Sequence, residues 1–380
     1  MSRYCFITGF LRSGTTLVEK LVHALPGACI GPQPFPFLYY DAKRAFLRTR
    51  GVEDERYPLG HLFGEDRYRL VDFEAYLAHH RVAREALAES FAGMQHYSGW
   101  KLPAMATHAA NVGEGSFAEV YRALCDGLPR ILGREGSNLL GAKEVFCEEF
   151  IPYFLGQGVS VILVLRDIRD LLASLKFGGG ATYGDRGLPL LHVVRQWRKS
   201  VAFALEFSGT RDFHLVRFES LVASARTELD QLALHLGSPP AAAGAIDDLR
   251  DQDGRSWEGN SSFAPVRGVS RDPVGRFADK LPASWVAAVE SLCGPEMAAM
   301  GLVPSGGTGY REGEVAETMA RTAQEIDLVA PGATLTAEIN AERKRAMMLE
   351  RADADEAEQR RWFIFPRAYR RLARSGSVSL

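Results

Sequence analysis

Apolar residues along the chain fall into short blocks of two kinds. Tyr4–Thr8 (YCFIT), Leu139–Ala142, Val159–Leu165 (VSVILVL) and Phe213–Val216 are brief runs rich in β-branched and aromatic residues, and predict strands. Val159–Leu165 is apolar throughout apart from Ser160, which predicts a strand covered on both faces, as in a parallel sheet. Leu17, Val18, Leu21, Val22 and Leu25 instead recur at helical spacing. Further helices are predicted across 145–155, from about Asp170, over 189–208 and from about 220. Residues 38–135 read as mainly helical, with loops at 58–64 and 93–103. This alternation predicts an α/β protein built on a doubly wound parallel sheet with helical insertions. Beyond Pro304 the pattern changes: SGGTG (305–309) reads as a linker, and charged helices follow, broken at Pro331-Gly332. The expected division is therefore 1–305 as one domain, with 35–135 as a helical insertion on the substrate side, and 306–380 as a helical C-terminal extension.

Composition narrows the classes without naming a chemistry. The 380 residues are 46% hydrophobic and 24% charged, which excludes a disordered chain, and the 37 Gly show no collagen period. With 45 Lys+Arg against 47 Asp+Glu the net charge is -2, so a broadly basic surface for nucleic acid is not expected. Five widely spaced cysteines with no CxxC pair read as free thiols of a reducing compartment. The N-terminus enters a strand without a signal-peptide core, and no apolar run nears the roughly 20 residues of a membrane helix. The expectation is a cytoplasmic protein without a membrane span.

The chemistry begins at Gly9-Phe-Leu-Arg-Ser-Gly14-Thr15-Thr16, which follows a strand and opens a helix. Backbone N–H groups at a helix start, aided by the dipole, hold an oxyanion, and Gly14 lets the backbone come close. The spacing is that of a P-loop, yet Thr15 stands where a nucleoside triphosphate enzyme needs lysine, and the positive charge comes from Arg12 within the loop. The loop is suited to a phosphate and not to a Mg-nucleoside triphosphate.

GxxRSGTTL after an N-terminal strand resembles the 5′-phosphosulfate loop of sulfotransferases that use 3′-phosphoadenosine 5′-phosphosulfate (PAPS). The resemblance extends over roughly residues 1–305 and implies a parallel-sheet, P-loop-like sulfotransferase fold. It gives Arg12, Ser13, Gly14, Thr15 and Thr16 to the 5′-phosphosulfate. Arg166 and Ser174, eight residues apart in VILVLRDIRDLLAS, match the family's pair on the 3′-phosphate. Lys143 in LLGAKEVF is placed like the family lysine that meets the sulfuryl group and the leaving phosphate; with Arg12 it is the implied catalytic cation. Ser270, Arg271 and Arg276 in GVSRDPVGRF resemble the loop that closes over the cofactor, and Arg217 and Glu219 a structural strand-to-helix segment. The implied cofactor is PAPS, with PAP (3′,5′-adenosine bisphosphate) as product and no metal. The implied acceptor is a small molecule with a hydroxyl or amine, as in secondary metabolism.

Two positions depart from that pattern. Gln33 stands where many relatives carry a glutamate base, and Val145 where others carry a histidine. A neutral amide orients an acceptor but takes no proton. Glu144, Asp41, His23, His61, His96 and His108 remain open as bases. Gln33, Phe35, Trp100 and Lys101 are candidate acceptor contacts, beside Phe37, Tyr39 and Tyr40, on the ground that such pockets are apolar with few polar groups. Two other readings stand beside the transferase: a nucleotide kinase with a degenerate loop, and a PAP or PAPS binder without catalysis. Arg360–Arg374 holds six arginines among four aromatic residues. The favoured reading docks the aromatics on the core, ahead of a contact between copies in a homo-oligomer.

Overall fold

A computed structural model describes residues 2–52, 70–97, 100–178, 188–259, 268–305, 312–330, 332–351 and 353–375. Five parallel strands form the central sheet: β1 (Arg3–Gly9), β2 (Ala28–Pro32), β3 (Leu139–Lys143), β4 (Ser160–Leu165) and β5 (Phe213–Arg217), in the order β2-β3-β1-β4-β5. Parallel neighbours require crossover connections, and helices supply them. Helix α1 (Thr15–His23) packs Leu17, Val18, Leu21 and Val22 on one face of the sheet, against Cys5, Ile7, Ile30 and Leu139. The other face, with Phe6, Leu140 and Ala142, lies in a larger core. That core also takes α2 (Pro36–Thr49) and the 117–126 helix, as well as α3 (Ile168–Phe177) and α4 (Leu190–Phe207). Val161–Val164 are fully buried, as the unbroken apolar run requires.

Two expectations need correction. β2 was not expected: ACIGP is five residues long and ends in Gly-Pro, a signature that reads as a turn. It forms because it is wholly buried at a sheet edge, where proline costs no interior ladder bond. The helix expected across 145–155 starts later, as a 3₁₀ turn at Glu148–Phe150 followed by Ile151–Gly156. Before it the chain runs on beside β1, where Glu144 N–H donates to Ile7 O (2.9 Å) and Phe146 N–H to Gly9 O (3.2 Å). This brings residues 143–146 alongside the Gly9–Thr16 loop.

The insertion is helical, with a two-stranded pairing of Arg81–Val82 and Gly115–Ser116. After α5 (Ala283–Ala299), the extension supplies α6 (Leu335–Arg351), α7 (Glu356–Phe363) and α8 (Pro366–Ser375). Its aromatics dock: Trp362, Phe363 and Tyr369 are buried, and Phe365 meets Phe203 and Phe207 edge-on at 5.1 and 5.7 Å. Arg360 pairs with Glu356 (2.8 Å), and Arg367 donates to the Glu206 carbonyl at the end of α4 (2.7 Å). Buried ion pairs complete the junction: Glu342 of α6 holds Arg195 (2.9 Å) and Arg198 (2.7 Å) of α4, and Arg345 pairs with Glu296. The 305–309 linker lies outside the described residues except for Ser305. All five cysteines are buried free thiols, and no described helix is long and apolar enough to cross a membrane.

Candidate anion and sulfuryl site

Strand order reverses between β1 and β4: β1 leads to β2 on one side and β4 to β5 on the other. Such a switch point opens a crevice where α/β sheets bind ligands. The Gly9–Thr16 loop lies there. Ser13 folds it tightly, its N–H and Oγ both donating to Phe10 O (3.2 and 2.6 Å). Arg12 and Gly14 have φ of 66° and 98°. A Cβ at Gly14 would stand 2.4 Å from the Phe218 ring, so only glycine fits this left-handed turn. Gly14 caps α1 without a side-chain hydrogen bond, and no acid lies in the first turn of the helix. Thr15 is buried and Thr16 half-buried at that end.

Arg166, directly after β4, reaches across to this loop. Its Nη1 donates to Arg12 O (3.1 Å) and its Nη2 to Pro273 O (2.6 Å), while its plane lies 4.7 Å from the Phe218 ring centre. Arg12 Nε in turn donates to Ser174 Oγ (3.2 Å). The loop and the Arg166/Ser174 pair, 150 residues apart in order of magnitude, therefore share one place. Arg166 is 8% exposed, and its Nε is buried without a hydrogen-bond acceptor among the described residues. A buried guanidinium N–H without an acceptor is costly, and an oxyanion would supply one. Trp197 Nε1 donates to the Arg166 carbonyl (2.8 Å) and fixes the backbone from α4.

Lys143 ends β3 with its ammonium enclosed. Nζ donates to Gln33 Oε1 (2.8 Å), and Gln33 N–H returns a bond to Lys143 O (3.0 Å); Gln33 takes φ 49° to do so. Burial pulls the Lys143 ammonium down to about 8; Glu19 and Glu144 oppose the fall, and Lys20 and Lys101 add to it. Glu19, on α1, is fully buried, pairs with Lys20 (3.3 Å) and leaves Oε2 without a hydrogen-bond partner among the described residues. Glu144 is 1% exposed and its Oε1 accepts the Phe35 N–H (3.2 Å); burial pushes its carboxyl up, against the pull of Lys143.

The other candidate bases are occupied or remote. His23 Nδ1 lies 3.1 Å from Ile30 N and 3.2 Å from Ile30 O, and burial pulls the ring down to about 4. His108 bonds Ala123 O (2.8 Å) beneath Gly127. Asp41 accepts from Ser90 and faces Arg44 (3.8 Å). His96 is exposed, and His61 lies outside the described residues. Glu144 alone of these is adjacent to Lys143.

The candidate acceptor contacts divide. Gln33 is at the site. Phe35 is fully buried, its ring packs on Tyr39 and Tyr121, and its N–H donates to Glu144 Oε1. Trp100 is half-buried, with Nε1 donating to Pro34 O (2.8 Å), and Lys101 is exposed. In the Ser270–Phe277 loop, Arg271 donates to Val222 O (3.4 Å) and Ala223 O (2.7 Å) at the end of the 218–223 helix. Ser270 Oγ accepts from Asp272 N (3.1 Å), and Arg276 Nε donates to Asp272 O (2.8 Å). Glu219 accepts from Asp167 N–H (2.8 Å), a structural bond at the start of α3. Phe218, Trp197, Asp170 and Glu19 went unnamed as site residues; their roles depend on neighbours distant in sequence. Among the described residues no cluster of His, Cys, Asp and Glu is placed to hold a metal ion.

No protein-family model and no curated protein matches the chain in sequence. Solved structures are similar to it in fold. The sulfotransferase domain of the Synechococcus PCC 7002 olefin synthase is 17% identical, with a TM-score of 0.44, covering 74% of this chain and 89% of its own. The sulfotransferase domain of the curacin biosynthetic pathway is 16% identical, with a TM-score of 0.43, covering 77% and 98%. A sulfotransferase of Mycobacterium tuberculosis H37Rv is 15% identical, with a TM-score of 0.30, covering 64% and 70%. All three are sulfotransferases.

Proposed function

We propose that the chain transfers a sulfuryl group from PAPS to a hydroxyl or amine of a small molecule. The observation that carries this is the buried Arg166 guanidinium, with one N–H lacking an acceptor, joined through Arg12 and Ser174 to a loop that presents helix-start N–H groups. Two anion positions on one ligand suit a 3′,5′-bisphosphate better than a single phosphate. PAPS supplies an activated sulfuryl group. In this reading Arg166 and Ser174 hold the 3′-phosphate, and Ser13, Thr15, Thr16 and the loop N–H groups hold the 5′ end. Arg12 and Lys143 offset charge that builds on the bridging oxygen as the S–O bond breaks. Gln33 keeps the Lys143 ammonium aimed. Glu144 accepts the proton that the acceptor releases when its oxygen or nitrogen bonds to sulfur. Glu144→Gln is expected to slow transfer about 10²-fold with PAP binding unchanged, a typical general-base effect; an unaltered rate would remove Glu144 from this role.

The reading is tested by thermal shift with PAP, 5′-AMP and Mg-ATP. PAP is expected to stabilise the protein most; stabilisation by Mg-ATP alone would favour a kinase. Arg166→Ala is expected to weaken PAP roughly 30-fold or more, as for a truncated buried charge contact, and 5′-AMP far less. Equal losses would mean that Arg166 does not read the 3′-phosphate. A second reading, a binder of PAP without catalysis, is favoured by the neutral Gln33 beside Lys143. Bound PAP with no sulfate transferred to any of a panel of alcohols, phenols and amines would decide for it.

A further inference from the structure

Asp170 stands in the first turn of α3, 1% exposed, where a carboxylate would ordinarily face water and the helix dipole. Here it faces a loop instead. Oδ2 accepts the Gly275 N–H (2.7 Å) and Oδ1 the Phe277 N–H (3.0 Å), so both oxygens are committed to one stretch of backbone far along the chain. The same stretch is held twice more from β4 and α3: Arg166 donates to Pro273 O (2.6 Å), and the Arg169 guanidinium lies 4.2 Å from the Phe277 ring centre. Gly275 takes φ 78°, the turn that brings these alternate residues to one side. Arg166 also holds the phosphate loop at Arg12 O, so one guanidinium touches both walls of the crevice. Asp170 is the main charge favouring that guanidinium against its burial. Those N–H donors and Arg166 favour the charged carboxylate against its burial, which ties the loop position and the Arg166 charge to one side chain.

We propose that Asp170 is a positioning residue, the latch that holds the Ser270–Phe277 loop against Arg166 and so sets how long a 3′-phosphorylated nucleotide stays bound. This rests on the reading of the site as a PAP and PAPS site. Where the nucleotide leaves past this loop, the Gly275 and Phe277 bonds must open, and their strength enters the dissociation rate.

The test combines amide hydrogen exchange on the ligand-free protein with stopped-flow binding of PAP, for wild type and Asp170→Asn. In wild type the Gly275 and Phe277 amides are expected to be protected. In D170N they exchange at least tenfold faster, and PAP dissociates about tenfold to a hundredfold faster while associating no more slowly, in line with losing one hydrogen bond to a charged acceptor and leaving the other to a neutral amide oxygen. A merely structural lesion would instead lower association as well. Unchanged amide exchange, or unchanged PAP dissociation, overturns the latch. If wild type binds no PAP at all, the donor assignment fails, and the residence-time claim with it; if PAP binds normally to both proteins, only Asp170's role fails. Asp170→Glu is the second variant should D170N not fold. If neither folds, unprotected Gly275 and Phe277 amides in wild type overturn the proposal.

Discussion

Replacing Lys143 by methionine is expected to lower sulfuryl transfer by on the order of 10²–10³, the effect of deleting one preorganised charge donor from a reacting centre. Methionine keeps the unbranched apolar stem and removes the ammonium, its charge and its bond to Gln33, and because Lys143 is 3% exposed no water takes its place readily. The rate is read as PAP released from PAPS, with water or an added alcohol as acceptor; a loss below fivefold would mean that Lys143 does not face the developing charge. The pH profile is a separate signature. Burial draws the ammonium down to about 8 against an ordinary value of 10.5, so activity is expected to fall as pH rises through 8. Stability moves the other way. Between about 8 and 10.5 the unfolded chain keeps this proton and the folded chain does not, so this contribution to stability grows with pH. Gln33→Glu places a carboxylate beside Nζ and is expected to shift the alkaline fall upward.

The second large effect is on folding. Glu342→Ala is expected to destabilise the chain by about 3–5 kcal/mol, because it removes the carboxylate that Arg195 and Arg198 share, although Arg195 keeps Glu338 and Arg198 keeps the Leu292 carbonyl. Arg198 is 2% exposed and Arg195 6%, and Glu342 meets them at 2.7 and 2.9 Å. Burial alone would raise the Glu342 carboxyl, yet Arg198, Arg195 and Arg345 bring it down to about 2. Since the folded value lies below the unfolded one, this stabilisation is complete above about pH 4.5 and is lost as pH falls towards 2. Urea denaturation at neutral pH measures the loss; a change under 1 kcal/mol would mean that other acids take up the two guanidiniums. Glu342→Gln, which keeps the shape, is expected to cost less.

Where the sequence was most informative follows from where the chemistry sits. Arg12, Lys143 and Arg166 each stand at or just past the carboxyl end of a buried apolar run. Such runs are unambiguous, and ligands of parallel sheets gather at their ends. β2 was hidden because five residues with glycine and proline carry no period; only its pairing with β3 makes it a strand. Phe35 read as a pocket aromatic because a ring on a helix looks the same whether it faces a ligand or a core. Arg271 read as a cofactor cation, but the end of a helix 48 residues earlier in the chain offers it carbonyls. Asp170 and Phe218 could not be read at all, because what they touch is set by tertiary folding.

Helix α4 has an inheritance attached to it. Within four residues it carries Arg195 and Arg198, which answer to Glu342, and Trp197, which fixes the Arg166 carbonyl. A chimera that exchanged the segment after residue 305 for a foreign tail would have to bring an acid to the place of Glu342, or strand two charges beside the tryptophan that steadies the anion site. Tail and crevice are thus tied to one another through a single helix.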